Sequence, residues 1–399
     1  MDSEPKPLSG LPKVMALRVS RQTMCRLSLL AATCLLALTA GCSRTARPVP
    51  VPDTLEPWAT TLETARRDAW LSERAPERPE AAWTVELGRG VISPLAIEAD
   101  LLFATTVDRR LIVIATGTGS IFWERRLAGA ATAGAVFDRN SVFVGGQDRE
   151  GAAEAYELAR GFLVWRKEIE PPLAAPLLHA GVTYWGTETG HLYALAASDG
   201  SRLWRVNLAG GIVGSPVVEG DDLLVVTNAD TLYRIEMRTG RTAARLPLPS
   251  TPTTTPAYDG SRLHLPMHDT THVVVDVSSW SVASVDRLDS PARAIPVLDA
   301  DGTAYLLTEN ASVYRVGPAG GIDRIAALDG AARASLALAA NGLLVGRLDG
   351  ALFLLRRDGT TVWREDLDDS IEAPVAIYRG AVYVPMLRGD LTMLREAGS

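Results

Sequence analysis

The sequence predicts an all-β fold: an eight-bladed β-propeller of four-stranded blades whose last blade is closed by the N-terminal strand. Three observations predict it. Leucine-type residues recur at Leu87, Leu127, Ile169, Leu208, Leu248, Leu288, Leu328 and Leu367, at gaps of 40, 42, 39, 40, 40, 40 and 39 residues. Four residues earlier stands a tryptophan in five units (Trp83, Trp123, Trp165, Trp204, Trp363), and four earlier again a glycine in six (Gly119, Gly161, Gly200, Gly240, Gly320, Gly359). A separate series opens the units: Pro94, Pro176, Pro216, Pro256, Pro296 and Pro374, with Gly134 and Ser335 in the two remaining places. A period of about 40 residues with several short strands per unit is the mark of a propeller array. Each unit is a small sheet that cannot bury its own faces, so neighbours stack around an axis.

Each rung has a physical reason. Proline lacks an N–H and is tolerated as the first residue of a strand, which suits the short innermost strand beside the axis. The glycine belongs in a hairpin turn that needs positive φ. The tryptophan follows on the outer strand, where its ring can wedge between adjacent blades. Between the rungs the strands alternate, as in Gly181-Val-Thr-Tyr-Trp-Gly-Thr and His191-Leu-Tyr-Ala-Leu.

The blade count implies a closure. Seven units are complete, and an eighth begins at Glu372-Ala-Pro-Val with three strands, Pro374–Ile377, Ala381–Pro385 and Leu391–Leu394. Its missing outer strand should carry the Trp-then-Leu signature, which stands alone near the other end in Ala82-Trp83-Thr-Val-Glu-Leu87. The N-terminal strand is therefore expected to complete the C-terminal blade, leaving no gap in the ring. The propeller is assigned to residues 81–399.

Residues 1–41 read as a signal peptide. The apolar stretch Leu27 to Ala40 follows Arg18, Arg21 and Arg26 and is too short to span a membrane. It ends in Leu38-Thr39-Ala40-Gly41-Cys42, which resembles the lipobox of bacterial lipoproteins. That resemblance implies cleavage before Cys42 and its acylation; Ser43, where such proteins keep an Asp for retention, implies transfer to the outer membrane. The long leader makes Met15 or Met24 alternative starts. Residues 42–80 read as a tether: Arg47-Pro-Val-Pro-Val-Pro52 is extended, and Glu56 to Arg74 has the pattern of a short helix carrying Trp58, Leu62 and Trp70, either packed beside the propeller or serving as a docking segment for a partner.

Composition bounds the chemistry. All three cysteines, Cys25, Cys34 and Cys42, lie at or before the cleavage point, so neither a disulfide framework nor a thiol site is expected in the folded part. The chain has 40 basic and 47 acidic residues. Removing Lys6, Lys13, Arg18, Arg21, Arg26, Asp2 and Glu4 with the leader leaves 35 against 45, a net charge of about −10. An acidic surface repels a phosphate backbone, so no nucleic-acid partner is expected.

The units resemble the repeats of the pyrroloquinoline-quinone propeller superfamily. The third matches best, with Asp199-Gly200 and Trp204 after its strands, and the Gly-x-x-x-Trp element at 119/123, 161/165, 200/204 and 359/363 resembles that superfamily's tryptophan-docking motif. Two blades depart from it, with Ala244 and Arg324 in the tryptophan's place, and the fifth has lost the glycine too, with Trp280 there. Within the superfamily, quinoprotein dehydrogenases hold a quinone over the channel with calcium and a catalytic aspartate, many with a pair of adjacent cysteines. The non-enzymatic branch contains lipid-anchored, eight-bladed subunits of the outer-membrane β-barrel assembly machine. Lipobox, blade count and mature length favour the second branch.

Other chemistries find little support. All five histidines lie between 179 and 272, and His264, His268 and His272 fall on one hairpin. A zinc site needs its ligands within about 2.0–2.1 Å of one ion, whereas four strand residues span about 13 Å. They are read as polar hairpin residues. Asp221-Asp222 and Asp368-Asp369 sit at turns and are expected to cap loops. No nucleophile triad or phosphate loop can be read from the order. The expectation is a monomeric, non-enzymatic binding scaffold without cofactor or metal. It is anchored at the outer membrane through Cys42, faces the periplasm, and has a cell-envelope protein such as a barrel-assembly complex as partner. A saccharide or small-ligand propeller and a degenerate quinoprotein are the alternatives.

Overall fold

The computed structural model describes residues 73–398 apart from 132, 148 and 149. These residues belong to one compact unit, 46–399, and form eight four-stranded antiparallel sheets with no helix among them. No helix among the described residues is long and apolar enough to cross a membrane.

Blade 1 contains β2 (Ala96–Glu98), β3 (Leu101–Thr106), β4 (Arg110–Ala115) and β5 (Ile121–Arg126). Blade 2 contains β6 (Val136–Phe137), β7 (Ser141–Gly146), β8 (Ala152–Glu157) and β9 (Leu163–Glu168). Five further blades repeat the order, with outer strands β13 (Arg202–Asn207), β17 (Thr242–Pro247), β21 (Ser281–Arg287), β25 (Ile322–Ala327) and β29 (Thr361–Asp366). The strands run in sequence from the shortest to the outermost, and each turn joins near neighbours.

The closure is as the end-strand signatures predict. β1 (Pro79–Glu86) pairs antiparallel with β32 (Asp390–Glu396), which pairs with β31 (Ala381–Pro385) and then β30 (Ala376–Tyr378). The register runs from Pro79 opposite Glu396 to Glu86 opposite Asp390. The chain just before β1 also laces the seam: Asn341 of blade 7 accepts from the Ala75 amide and donates to its carbonyl, both at 2.9 Å. Ala397 donates to the Arg78 carbonyl at 2.8 Å.

Two local expectations are corrected. The prolines do not occupy strand positions: Pro176, Pro216, Pro256 and Pro296 immediately precede their inner strands, and Pro94 and Pro374 stand two residues ahead. A missing N–H therefore costs no ladder bond at all. Every third-to-outer strand pair also carries a register shift, as between Ala155 and Tyr156 opposite β9, which the repeat does not reveal. A bulge bends the outer strand and re-aims its side chains, here beside the docking tryptophan.

The core lies in the wedges between blades. Phe103 and Phe137 stack at 4.5 Å between blades 1 and 2, with Trp123 and Val142 in the same cluster. Leu102, Ile112, Tyr383 and Leu391 fill the wedge that closes the ring. Inner strands such as Leu223-Leu-Val-Val226 are buried on both faces, which is why they read as unbroken apolar runs.

Candidate functional site

Four indoles lock successive blades by one geometry, and a fifth does so by a variant of it. Trp83 Nε1 donates to Thr116 O at 3.0 Å, Trp123 to Leu158 O at 3.0 Å, Trp165 to Ala197 O at 2.9 Å and Trp204 to Met237 O at 2.8 Å. Each acceptor lies in the next blade, at the start of the turn that holds its glycine. Those glycines have φ between 68° and 72° at 119, 161, 200 and 240, and a Cβ there would stand 2.6–3.0 Å from the indole. Glycine is thus required twice over, for φ and for close approach. Trp363 instead donates to Pro76 O at 2.8 Å, capturing the segment before β1. Gly359 backs onto the Ile325 carbonyl.

One divergent junction, between blades 4 and 5, is compensated. Trp280, in the glycine's place with φ 52°, turns its ring back toward blade 4, where Ala244 leaves room. Arg234, cross-strand partner of Ala244, lies over that ring at 4.7 Å. It donates to Val277 O at 3.0 Å, the carbonyl an indole would have reached. Arg324 makes no such contact and pairs with Asp289 at 3.2 Å.

The axis of the ring holds a cavity of about 240 Å³. The segments leading into the inner strands line it, with small side chains such as Ala133, Gly134 and Ala175. Three of its four hydroxyl side chains bond to the ring itself: Ser215 donates to Ala175 O at 2.5 Å, the Thr255 hydroxyl accepts from the Ser215 amide at 3.0 Å, and Thr253 donates to Ala292 O at 2.7 Å. Arg293 is the one charged lining residue among those described, and it is ion-paired with Glu309.

The hairpin histidines depart from expectation. His268 is exposed, but His264 and His272 are buried, 2% and 0% exposed, and stack at 5.4 Å with 13° between planes. Strand polarity misled the reading: both residues point into the wedge toward blade 6, at places equivalent to Tyr184 and Leu192 of blade 3. All four ring nitrogens lack a hydrogen-bond partner among the described residues. Asp259 stands 3.8 Å from His264 and Asp286 3.8 Å from His272. Burial pulls the His272 imidazole below its ordinary value, opposed by Asp286. Burial works to raise the Asp259 carboxyl, but His264 and the Arg262 and Ser261 amides outweigh it and hold it well below the carboxylate range. No group of three or more candidate metal ligands converges among the described residues. Cys42, the leader and most of the tether lie outside the described residues.

A family model described as outer membrane protein assembly factor BamB matches residues 67–169 and 149–342. The chain belongs to the BamB family. A relative of that name from Legionella pneumophila (strain Paris) is 24% identical over 36% of this chain and 50% of its own. One from Shewanella oneidensis is 32% identical over 22% and 25%. The chain thus spans half and a quarter of the lengths of these relatives. The crystal structure of BamB from Moraxella catarrhalis superposes with a TM-score of 0.67 at 15% identity, over 79% of this chain and 99% of that one. A europium-containing methanol dehydrogenase superposes at 0.69 with 10% identity, over 85% and 98%. At these identities the structural likenesses carry the fold alone. The channel of this BamB-family ring does not fit a cation-held quinone: among the described residues its lining offers no carboxylate to a divalent ion.

Proposed function

We propose that the chain is a non-enzymatic scaffold, lipid-anchored at Cys42 to the outer membrane and facing the periplasm, that binds a cell-envelope protein and supports outer-membrane protein assembly. The family match carries this reading. The narrow channel supports its non-enzymatic half, because a cavity of about 240 Å³ lined mostly by small side chains falls below the usual ligand-pocket range of roughly 300–1,000 Å³. A monomeric ring closed by β1 against β32 is rigid and presents its loops and outer strand edges in fixed positions. The tether would raise its effective concentration near a membrane partner.

The test is a crosslinked pull-down of the lipidated protein from its own membranes, with partners identified by mass spectrometry. Recovery of a large outer-membrane barrel with its periplasmic domains supports the reading. Recovery of polysaccharide or a transport complex, with no barrel component, sinks it. A quinone absorbance or a stoichiometric metal in the purified protein would return the chain to the enzymatic branch.

A further inference from the structure

Phe162, Leu163 and Val164 form the only run of three consecutive exposed large apolar residues among the described ones, at 59%, 48% and 47% exposure. They open the outer strand of blade 2, whose far edge pairs with no other described strand. Val164 is the bulged residue, since Leu163 faces Tyr156 and Trp165 faces Ala155. The bulge therefore gathers apolar side chains into a knuckle where an alternating strand would hide every second one. Past it, Trp165 to Glu168 return to regular register against Ala155 to Ala152, so the free edge there is a straight row of backbone donors and acceptors.

The knuckle is held rigidly. Arg125 of blade 1 donates to the carbonyls of Gly161 and Arg160, both at 2.6 Å. Glu157 donates to Phe162 O at 2.7 Å, and the Trp123 ring packs under Gly161. An apolar group fixed in water at such cost in order is pre-organised for a partner. Beside Val164 a groove of about 860 Å³ runs between blades 2 and 3, with Ala159, Gly181 and Ala197 next to Val164 in its lining and Asp138, Arg139 and Glu157 as its charged members. Along the two outer strands the exposed charges are mostly positive: Arg160 and Lys167 on blade 2, then Arg202 and Arg205 flanking exposed Leu203 on the next outer strand, against Glu168; Arg166 is ion-paired with buried Glu154, and Asp199 and the groove's Asp138 and Glu157 lie nearby. This is a basic island on a chain of net charge −7.

We propose that this edge is a docking strand for an extended, amphipathic segment of a partner protein in which Asp or Glu alternates with apolar residues. The segment adds antiparallel or parallel to β9 beyond the bulge, its carboxylates toward Arg160, Lys167 and Arg202 and its apolar side chains over the knuckle and groove. The inference rests on the scaffold reading and names the kind of partner it takes.

A fluorescent synthetic peptide alternating valine and glutamate, titrated against the full chain, tests it. Saturable binding is expected, weakened at least about tenfold by Leu163→Asp, by Lys167→Glu, or by lysine in place of the peptide's glutamates. Val285→Asp, on the outer strand of blade 5, should change nothing. Both test positions are exposed, so the variants fold; thermal melts check this. The proposal is overturned if a proline-interrupted peptide binds equally well, or if Leu163→Asp binds like wild type. It also falls if vesicles of phosphatidylglycerol bind the island while the peptide does not, which would assign the patch to a lipid surface. Peptide binding with no barrel in the pull-down would sink the assembly role alone; a recovered barrel without peptide binding would sink this inference alone.

Discussion

The guanidinium of Arg234 lies 4.7 Å over the ring of Trp280 and donates to Val277 O at 3.0 Å. One arginine on blade 4 thus replaces two functions that an indole performs elsewhere, packing on the next blade's turn and satisfying its carbonyl. The aromatic ring has crossed the junction: it is supplied from the glycine's position on blade 5, and the cation comes from the strand opposite the vacated tryptophan site. The wedge stays filled while the signature disappears.

This exchange predicts strong coupling. Arg234→Ala should destabilise by about 2–3 kcal/mol, through a partly desolvated cation–π contact and a lost hydrogen bond. Ala244→Trp alone should overfill the junction and Trp280→Gly alone should empty it, each costing roughly 1–3 kcal/mol. The triple variant R234A/A244W/W280G reproduces the Ala194, Trp204 and Gly240 set of the preceding junction. It should recover most of the loss in urea denaturation. Simple addition of the single effects would show that the three residues do not act as one unit.

At the regular junctions the expected costs are asymmetric, larger for the indole than for its glycine. Trp123 is 2% exposed, and Trp123→Ala should cost about 3–5 kcal/mol. Gly161→Ala combines a φ of +68° with a Cβ 2.7 Å from the Trp123 ring and should cost about 1–3 kcal/mol. In the double variant the clash with the ring vanishes, so the combined loss should fall short of the sum; urea midpoints at constant slope measure both.

Blade count, strand order and the composite closure were legible because backbone needs recur at fixed spacing. Glycine at positive φ and an indole reaching a carbonyl leave letters that composition alone does not blur. What the repeat could not show is where side chains trade places. Arg234 carries no mark of its own in the repeat, and only the register opposite Ala244 reveals its role. His264 and His272 read as polar hairpin residues because strand periodicity gives two faces without saying that both are buried in a propeller. The bulge at Val164, which makes the exposed knuckle, has no residue signature of its own. The channel was legible only as an axis, since its lining comes from segments far apart in sequence.

The stacked histidines predict an acid sensitivity in two stages. His272 is held below its unfolded value of 6.5, so the unfolded chain binds the proton first, and stability should fall as the pH drops through about 6.5. Asp259 and Asp286 are also held below their ordinary value of 3.8; their contribution is present above it and should be lost as the pH falls further. His272→Leu, which copies Leu192 of blade 3, should remove the first stage and weaken the second, since His272 is the main group holding the Asp286 carboxyl low while Asp259 keeps its own partners. Melting temperatures between pH 8 and 3 measure this, and an unchanged slope near pH 6 in the variant would place the sensitivity elsewhere.

The seam makes the last prediction. A ring closed by a strand from the far end of the chain can open only by stripping β1 from β32, and Asn341 holds the lead-in to β1 through two hydrogen bonds to Ala75. Trp363 holds the neighbouring carbonyl of Pro76. Asn341→Ala should therefore cost about 1–3 kcal/mol, but unevenly around the ring. Amides of blade 8 such as Val382 and Val384 should exchange with deuterium faster, since opening of the seam exposes their sheet first. Those of Leu224 and Val226 on blade 4, at the far side of the ring, should keep wild-type protection. Equal acceleration on both sides would mean that the ring unfolds as one unit and that the latch does not decide where it opens.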